Sequence, residues 1–89
     1  MTVQKVKYTI TQADVDNQSA AIHVEWRSAF QDTNYVVTWA IEDVDEVIDL
    51  SFIQGDIHNL TPNGFDAILY SVLGQAGDDV YIHAMAQHI

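Results

Sequence analysis

Phe65-Asp66-Ala67-Ile68-Leu69-Tyr70-Ser71-Val72-Leu73 is the stretch on which the fold of this 89-residue chain turns. Phe65, Ile68, Leu69, Val72 and Leu73 occupy i, i+3, i+4, i+7 and i+8, the spacing of one apolar helix face. Thr61-Pro62 ahead of it and Gly74 behind it are residues that start and stop helices. A short run bounded on both sides by turn residues suits a strand equally well. Periodicity therefore leaves two chains open, one α+β and one all-β.

The flanks favour strands. Before the stretch, Pro62 supplies the fixed φ of turn position i+1, and Asn63-Gly64 offers a left-handed exit. After it, Gln75-Ala76-Gly77-Asp78 is expected to form the last hairpin. The closing segment sets Val80, Ile82, Ala84 and Ala86 on one face and Tyr81, His83, Met85 and Gln87 on the other. Near the start, Val6, Tyr8 and Ile10 alternate with Lys5, Lys7, Thr9 and Thr11. Asp14-Val15-Asp16-Asn17-Gln18-Ser19 reads as a turn. Ala20, Ile22, Val24 and Trp26 then alternate with Ala21, His23, Glu25 and Arg27. Past the Gln31–Asn34 turn, Tyr35, Val37, Trp39 and Ile41 face one way, and β-branched and aromatic content supports all these strands. The middle is ambiguous again: Ile41, Val44, Ile48 and Phe52 are close to helical spacing, whereas Ile48, Leu50 and Phe52 alternate as a strand does. In an all-β chain, Gly55 marks a bulge or bend.

Eighty-nine residues form one domain, 1–89, which buries only roughly 60–65% of its unfolded surface. Against that small capacity, 48% of the residues are apolar and nine are aromatic, which leaves apolar surface for contacts between subunits. Cysteine is absent, so there is no disulfide, thiolate ligand or thiol nucleophile. The formal charge of −10 repels phosphate backbones and anionic lipid, which argues against nucleic-acid and membrane partners. No apolar stretch of signal-peptide length follows Met1.

The order of features from Ala20 to Ala86 resembles the six-stranded antiparallel β-sandwich of H-type lectin domains. The residues that carry the likeness are Phe30, the Asn59-Leu60-Thr61-Pro62-Asn63-Gly64-Phe65 turn, and Tyr81 to Ala86. The phrase Phe30-Gln31-Asp32-Thr33-Asn34-Tyr35 is also similar to phrases in phage tail-fibre tips. The resemblance implies that Phe65–Leu73 is extended. It also implies assembly as a trimer or a pair of trimers, with sugar bound near subunit boundaries. The late tryptophan of the family's last strand is missing, and Tyr81 and His83 occupy that region.

A sugar site needs an aromatic face with polar groups beside it. Tyr81 is the best candidate because its parity opposes Val80 and Ile82; His83 shares its face, and Trp26 ends the second strand. Core packing is the competing reading for Trp26 and Trp39. Glu42, Asp43, Asp45, Glu46 and Asp49 place five carboxylates in eight residues. That run lacks the order and glycine of a calcium loop, so it reads as a solvated hairpin tip. His23, His58, His83 and His88 offer no chelating pair on a single element, and no metal or cofactor is implied. Neither a nucleophile elbow nor a phosphate loop is present.

With the resemblance, the expectation is a non-enzymatic, virion-associated homotrimer that docks on a capsid or tail protein, with a host-surface glycan as its expected ligand. The alternative is a free soluble carbohydrate-binding lectin, cytoplasmic rather than on a particle.

Overall fold

A computed structural model describes residues 1–45 and 56–89. In chain order the elements are β1 (Thr2–Thr9), α1 (Gln12–Asn17), β2 (Ser19–Glu25), β3 (Tyr35–Glu42), β4 (Asp56–Thr61), β5 (Gly64–Tyr70) and β6 (Asp79–His88). They build an all-β sandwich of two three-stranded antiparallel sheets, ordered β1-β6-β3 and β2-β5-β4. Among the described residues only β4 and β5 form a hairpin; every other consecutive pair of these strands passes from one sheet to the other. The central strands are therefore β5 and β6, which lie in opposite sheets.

Alternation explains the core. Ala20, Ile22 and Val24 of β2, Phe65, Ala67 and Leu69 of β5, and Val80, Ile82, Ala84 and Ala86 of β6 are buried between the sheets. Val6, Tyr8, Val37, Trp39 and Ile41 close over them half-buried. The ambiguous stretch is thus a strand as far as Tyr70, with Phe65, Ala67 and Leu69 inward. Ser71 then takes a left-handed φ of 58°, and buried Val72 donates its N–H to the Gln18 carbonyl at 3.3 Å.

Four local expectations are corrected. The segment read as a turn from Asp14 starts inside α1, which begins at Gln12 because Thr11 and Asp14 form a reciprocal capping box. The turn expected over Asn59–Phe65 narrows to Pro62-Asn63, with Thr61 paired to Gly64 and the preceding residues in β4. The left-handed residue there is Asn59 (φ 54°), at the irregularity between His58 and Thr61, and neither Asn63 nor Gly64. Gln75–Asp78 does turn, with Asp78 N–H on the Gln75 carbonyl at 3.1 Å, but β6 beyond it pairs with β1 and β3. That turn is therefore a crossover between sheets, and no hairpin forms there. The strand reading of Ile48, Leu50 and Phe52, the bulge at Gly55 and the acidic residues Glu46 and Asp49 lie outside the described residues.

Two latches tie the sheets at their margins. The Gln4 amide of β1 donates to the Glu25 carbonyl at 2.5 Å and accepts from the Arg27 N–H at 3.2 Å. The Tyr35 hydroxyl of β3 donates to the Thr61 carbonyl at 2.6 Å. Among the described residues, no helix is long and apolar enough to cross a membrane.

The capping box carries a first prediction. Thr11 Oγ1 accepts the Asp14 N–H at 3.2 Å, and Asp14 Oδ2 accepts the Thr11 N–H at 3.0 Å and the Tyr8 hydroxyl at 2.5 Å. Burial opposes the Asp14 charge, but hydrogen bonds from Tyr8 and Thr11 outweigh it and hold its carboxyl below the usual 3.8. The same environment, burial first and then Asp14, pushes the Tyr8 hydroxyl up to about 12. Thr11→Ala is expected to cost about 1 kcal/mol in a urea melt at neutral pH. Asp14→Asn should destabilise there too. Because the folded carboxyl titrates below the unfolded one, the Asp14 contribution is complete above 3.8 and fades as pH falls through the lower folded value. A gap between Asp14→Asn and wild type that widens on acidification contradicts this account.

Candidate binding and assembly face

The outer face of the β1-β6-β3 sheet is laid out by register. Val3, Met85 and Thr38 form one cross-strand row; Lys5, His83 and Ala40 form the next; Lys7, Tyr81 and Glu42 form the third. Such neighbours lie roughly 5 Å apart, so each row acts as a unit. The face divides into two halves.

The first half is apolar. Met1, Val3, Val36 and Met85 remain 82%, 64%, 56% and 45% exposed. Two shallow depressions run between them. One of ≈ 130 Å³ touches Met1, Val36 and Met85, and the other of ≈ 240 Å³ touches Val3, Ala40 and Met85.

The second half is polar and sets each lysine beside a carboxylate. Glu42 Oε1 meets His83 Nε2 at 2.8 Å and Lys5 Nζ at 3.4 Å. The His83 contact first, and Lys5 beside it, hold the Glu42 carboxyl below its ordinary 4.5. Lys7 Nζ lies 3.5 Å from Asp79 Oδ2, while Thr9 Oγ1 donates to Asp79 Oδ1 at 2.8 Å. The Lys5 ammonium sits over the Tyr81 ring, 4.4 Å from its centroid. Both lysines of the chain are on this face, each beside a carboxylate. Eleven of the thirteen acidic residues are not part of these two pairs.

The structure thus brings two of the three sequence candidates together. Tyr81 and His83 lie two residues apart on the outer face, with Lys5 and Glu42 between their tips. Trp26 is the correction. It is 4% exposed and packs on Phe30, Tyr35 and Phe65, with Nε1 donating to the Tyr35 hydroxyl at 3.1 Å. It faces inward because β2 carries Ile22 and Val24 on the same parity, and it offers no ring face to a ligand.

The opposite sheet carries a polar row that single-strand reading does not reveal. His23, Asp66 and His58 lie side by side on β2, β5 and β4. His23 Nδ1 is 2.8 Å from Asp66 Oδ1, and the Asn59 amide donates to Asp66 Oδ2 at 2.8 Å. The Asn59 bond first, then His23, hold the Asp66 carboxyl below its usual 3.8. The irregularity after His58 turns Asn59 onto this face, an effect of bulged strands. Among the described residues, no group of three or more His, Asp or Glu side chains is placed to hold a metal ion. No family model, curated protein or solved structure matches the chain.

Proposed function

We propose that this chain is a non-enzymatic binding and assembly subunit that associates with copies of itself through the outer face of the β1-β6-β3 sheet. One observation carries the reading. On a chain of formal charge −10, that face alone holds both lysines, each beside a carboxylate, next to an exposed apolar strip. Copies of so acidic a protein repel one another, and the repulsion is least where local charge cancels. Burying Met1, Val3, Val36 and Met85 supplies the attraction.

The resemblance to H-type lectin domains favours a threefold assembly, a virion setting on a capsid or tail protein, and a host glycan as ligand. With the apolar half as the contact, Tyr81 and His83 fall at its polar margin. That is where a sugar shared between subunits has an aromatic ring, an imidazole and a carboxylate within reach. Stacking on Tyr81 requires the Lys5 ammonium to swing off the ring.

Light scattering tests the assembly. The wild type is expected at a multiple of three chains, and Met85→Glu, which adds an unpaired carboxylate to the strip, should divide that mass by three. A wild-type monomer of 10.0 kDa at micromolar concentration rules the reading out. On a glycan array, Tyr81→Ala is expected to abolish any signal without changing the mass.

A further inference from the structure

We infer that the edge of β3 facing away from β6 pairs with β3 of a second copy, antiparallel about a twofold axis, so that two β1-β6-β3 sheets become one continuous six-stranded sheet. An unpaired strand edge presents alternate N–H and C=O groups to solvent and is a template for another strand. Proteins blunt such edges with lysine, proline, bulges or a covering segment. Among the described residues four strands are sheet edges, and three of them carry such a device. Lys5 and Lys7 stand on β1, and its Gln4 side chain is tied to the end of β2. β2 is preceded by α1, which packs on it, and ends at Glu25, whose carbonyl is taken by Gln4. β4 has six residues, a register irregularity, left-handed Asn59 and Pro62 directly after it.

Among the described residues, β3 carries none of these. Tyr35-Val36-Val37-Thr38-Trp39-Ala40-Ile41-Glu42 has no lysine, arginine, proline or glycine. Its register with β6 is uninterrupted over eight pairs. Among the described residues, it pairs with β6 alone. Its composition is that of a strong strand pairer, β-branched and aromatic with negligible charge. The single charge, Glu42, is at one end and already meets His83 and Lys5. In an antiparallel pair, the two Glu42 side chains fall at opposite ends of the junction, so they do not oppose each other.

A second copy is the occupant because the edge complements itself. A twofold axis at Thr38 sets Val36 opposite Ala40 of the second copy and Val37 opposite its Trp39, which keeps outward residues outward and inward residues inward. The contact uses backbone groups at the sheet margin and leaves the outer face free, so it is independent of the threefold contact proposed above.

Residue-resolved amide hydrogen exchange on Met85→Glu, at several concentrations and with mass measured in parallel, tests it. That variant disables the outer face and leaves the β3 backbone as it is. The expected result is a species of twice the 10.0 kDa chain mass in which all interior β3 amides are protected. On dilution, the alternate amides that do not face β6 should lose protection while the others keep it. Fast exchange of those alternate amides at every concentration overturns the inference, whatever the mass. Full protection in a 10.0 kDa monomer also overturns it, because the edge is then covered by its own chain. The mass ratio of wild type to Met85→Glu reports separately on the outer face.

Discussion

Trp26→Ala is expected to be the most damaging single substitution in the core, lowering the unfolding free energy by about 3–5 kcal/mol. An 89-residue domain has roughly 4–13 kcal/mol in total, so this is a large share of it. The indole sits where β2 leaves its sheet for the crossover to β3. It packs edge-on to Phe30 and Tyr35, at centroid distances of 6.0 and 6.1 Å, and lies 5.6 Å from Phe65. Its backbone N–H donates to the Asn63 carbonyl at 2.8 Å, which joins this corner to the β4-β5 turn. Phe30 in turn stacks on Tyr35 at 4.2 Å. Removal leaves a cavity bordered by rings that cannot collapse into it, since Tyr35 is anchored to the Thr61 carbonyl. Trp26→Phe keeps most of the volume and loses the indole N–H donor, so it should cost about 1–2 kcal/mol. Urea melts at one fixed protomer concentration check the pair, because self-association shifts apparent stability. Equal losses in the two variants would place the stabilisation in the hydrogen bond and discard the packing account.

The fold was legible wherever apolar side chains recur at every second position of a strand and the intervening ones stay exposed. Tyr35, Val37, Trp39 and Ile41 obey that rule on β3, as do Ala20, Ile22 and Val24 on β2. β5 was ambiguous for a concrete reason. Ile68 is apolar but stands on the outer face, across from Ala21, and it completes a helical spacing that the core does not use. Ala67, fully buried, is the residue that shows the true period, yet one small side chain is a weak apolar signal. β4 was illegible because all six of its residues are exposed, so neither face leaves a hydrophobic mark.

The candidate face was half legible. Parity alone places Tyr81 and His83 outside. That they meet Lys5 and Glu42 depends on β6 lying between β1 and β3, and no local pattern encodes a pairing between strands so distant along the chain. Of the two readings of Trp26, parity favours core packing, because it continues the buried face of Ile22 and Val24; the Phe30, Tyr35 and Phe65 rings that enclose it come from other segments.

Gly64→Ala is expected to destabilise by at least the upper part of the roughly 1–3 kcal/mol range for overpacking. Replacing glycine with alanine ordinarily gains about 0.4–1 kcal/mol by restricting the unfolded chain, so the sign here depends on the folded site. A Cβ on Gly64 would stand 2.1 Å from the Val24 carbonyl oxygen and 3.0 Å from the Glu25 Cα. Both are backbone atoms of β2, the strand to which β5 is paired through Glu25 and Gly64, so relief requires parting the two strands. The Gly64 carbonyl also accepts from Thr61 Oγ1 at 3.4 Å, so a shift of β5 disturbs the hairpin that holds Tyr35. The glycine is required for close approach of two strands rather than for a left-handed turn, since its φ is not positive. Gly77 is the control. It has a φ of 101° with nothing within 4 Å of an added Cβ, so Gly77→Ala tests backbone strain without a clash. The expected order in urea melts is Gly64→Ala well below Gly77→Ala, with both below wild type. A Gly64→Ala protein as stable as wild type would mean that β2 and β5 approach less closely than 2.1 Å implies, and the corner that buries Trp26 would have to be redrawn.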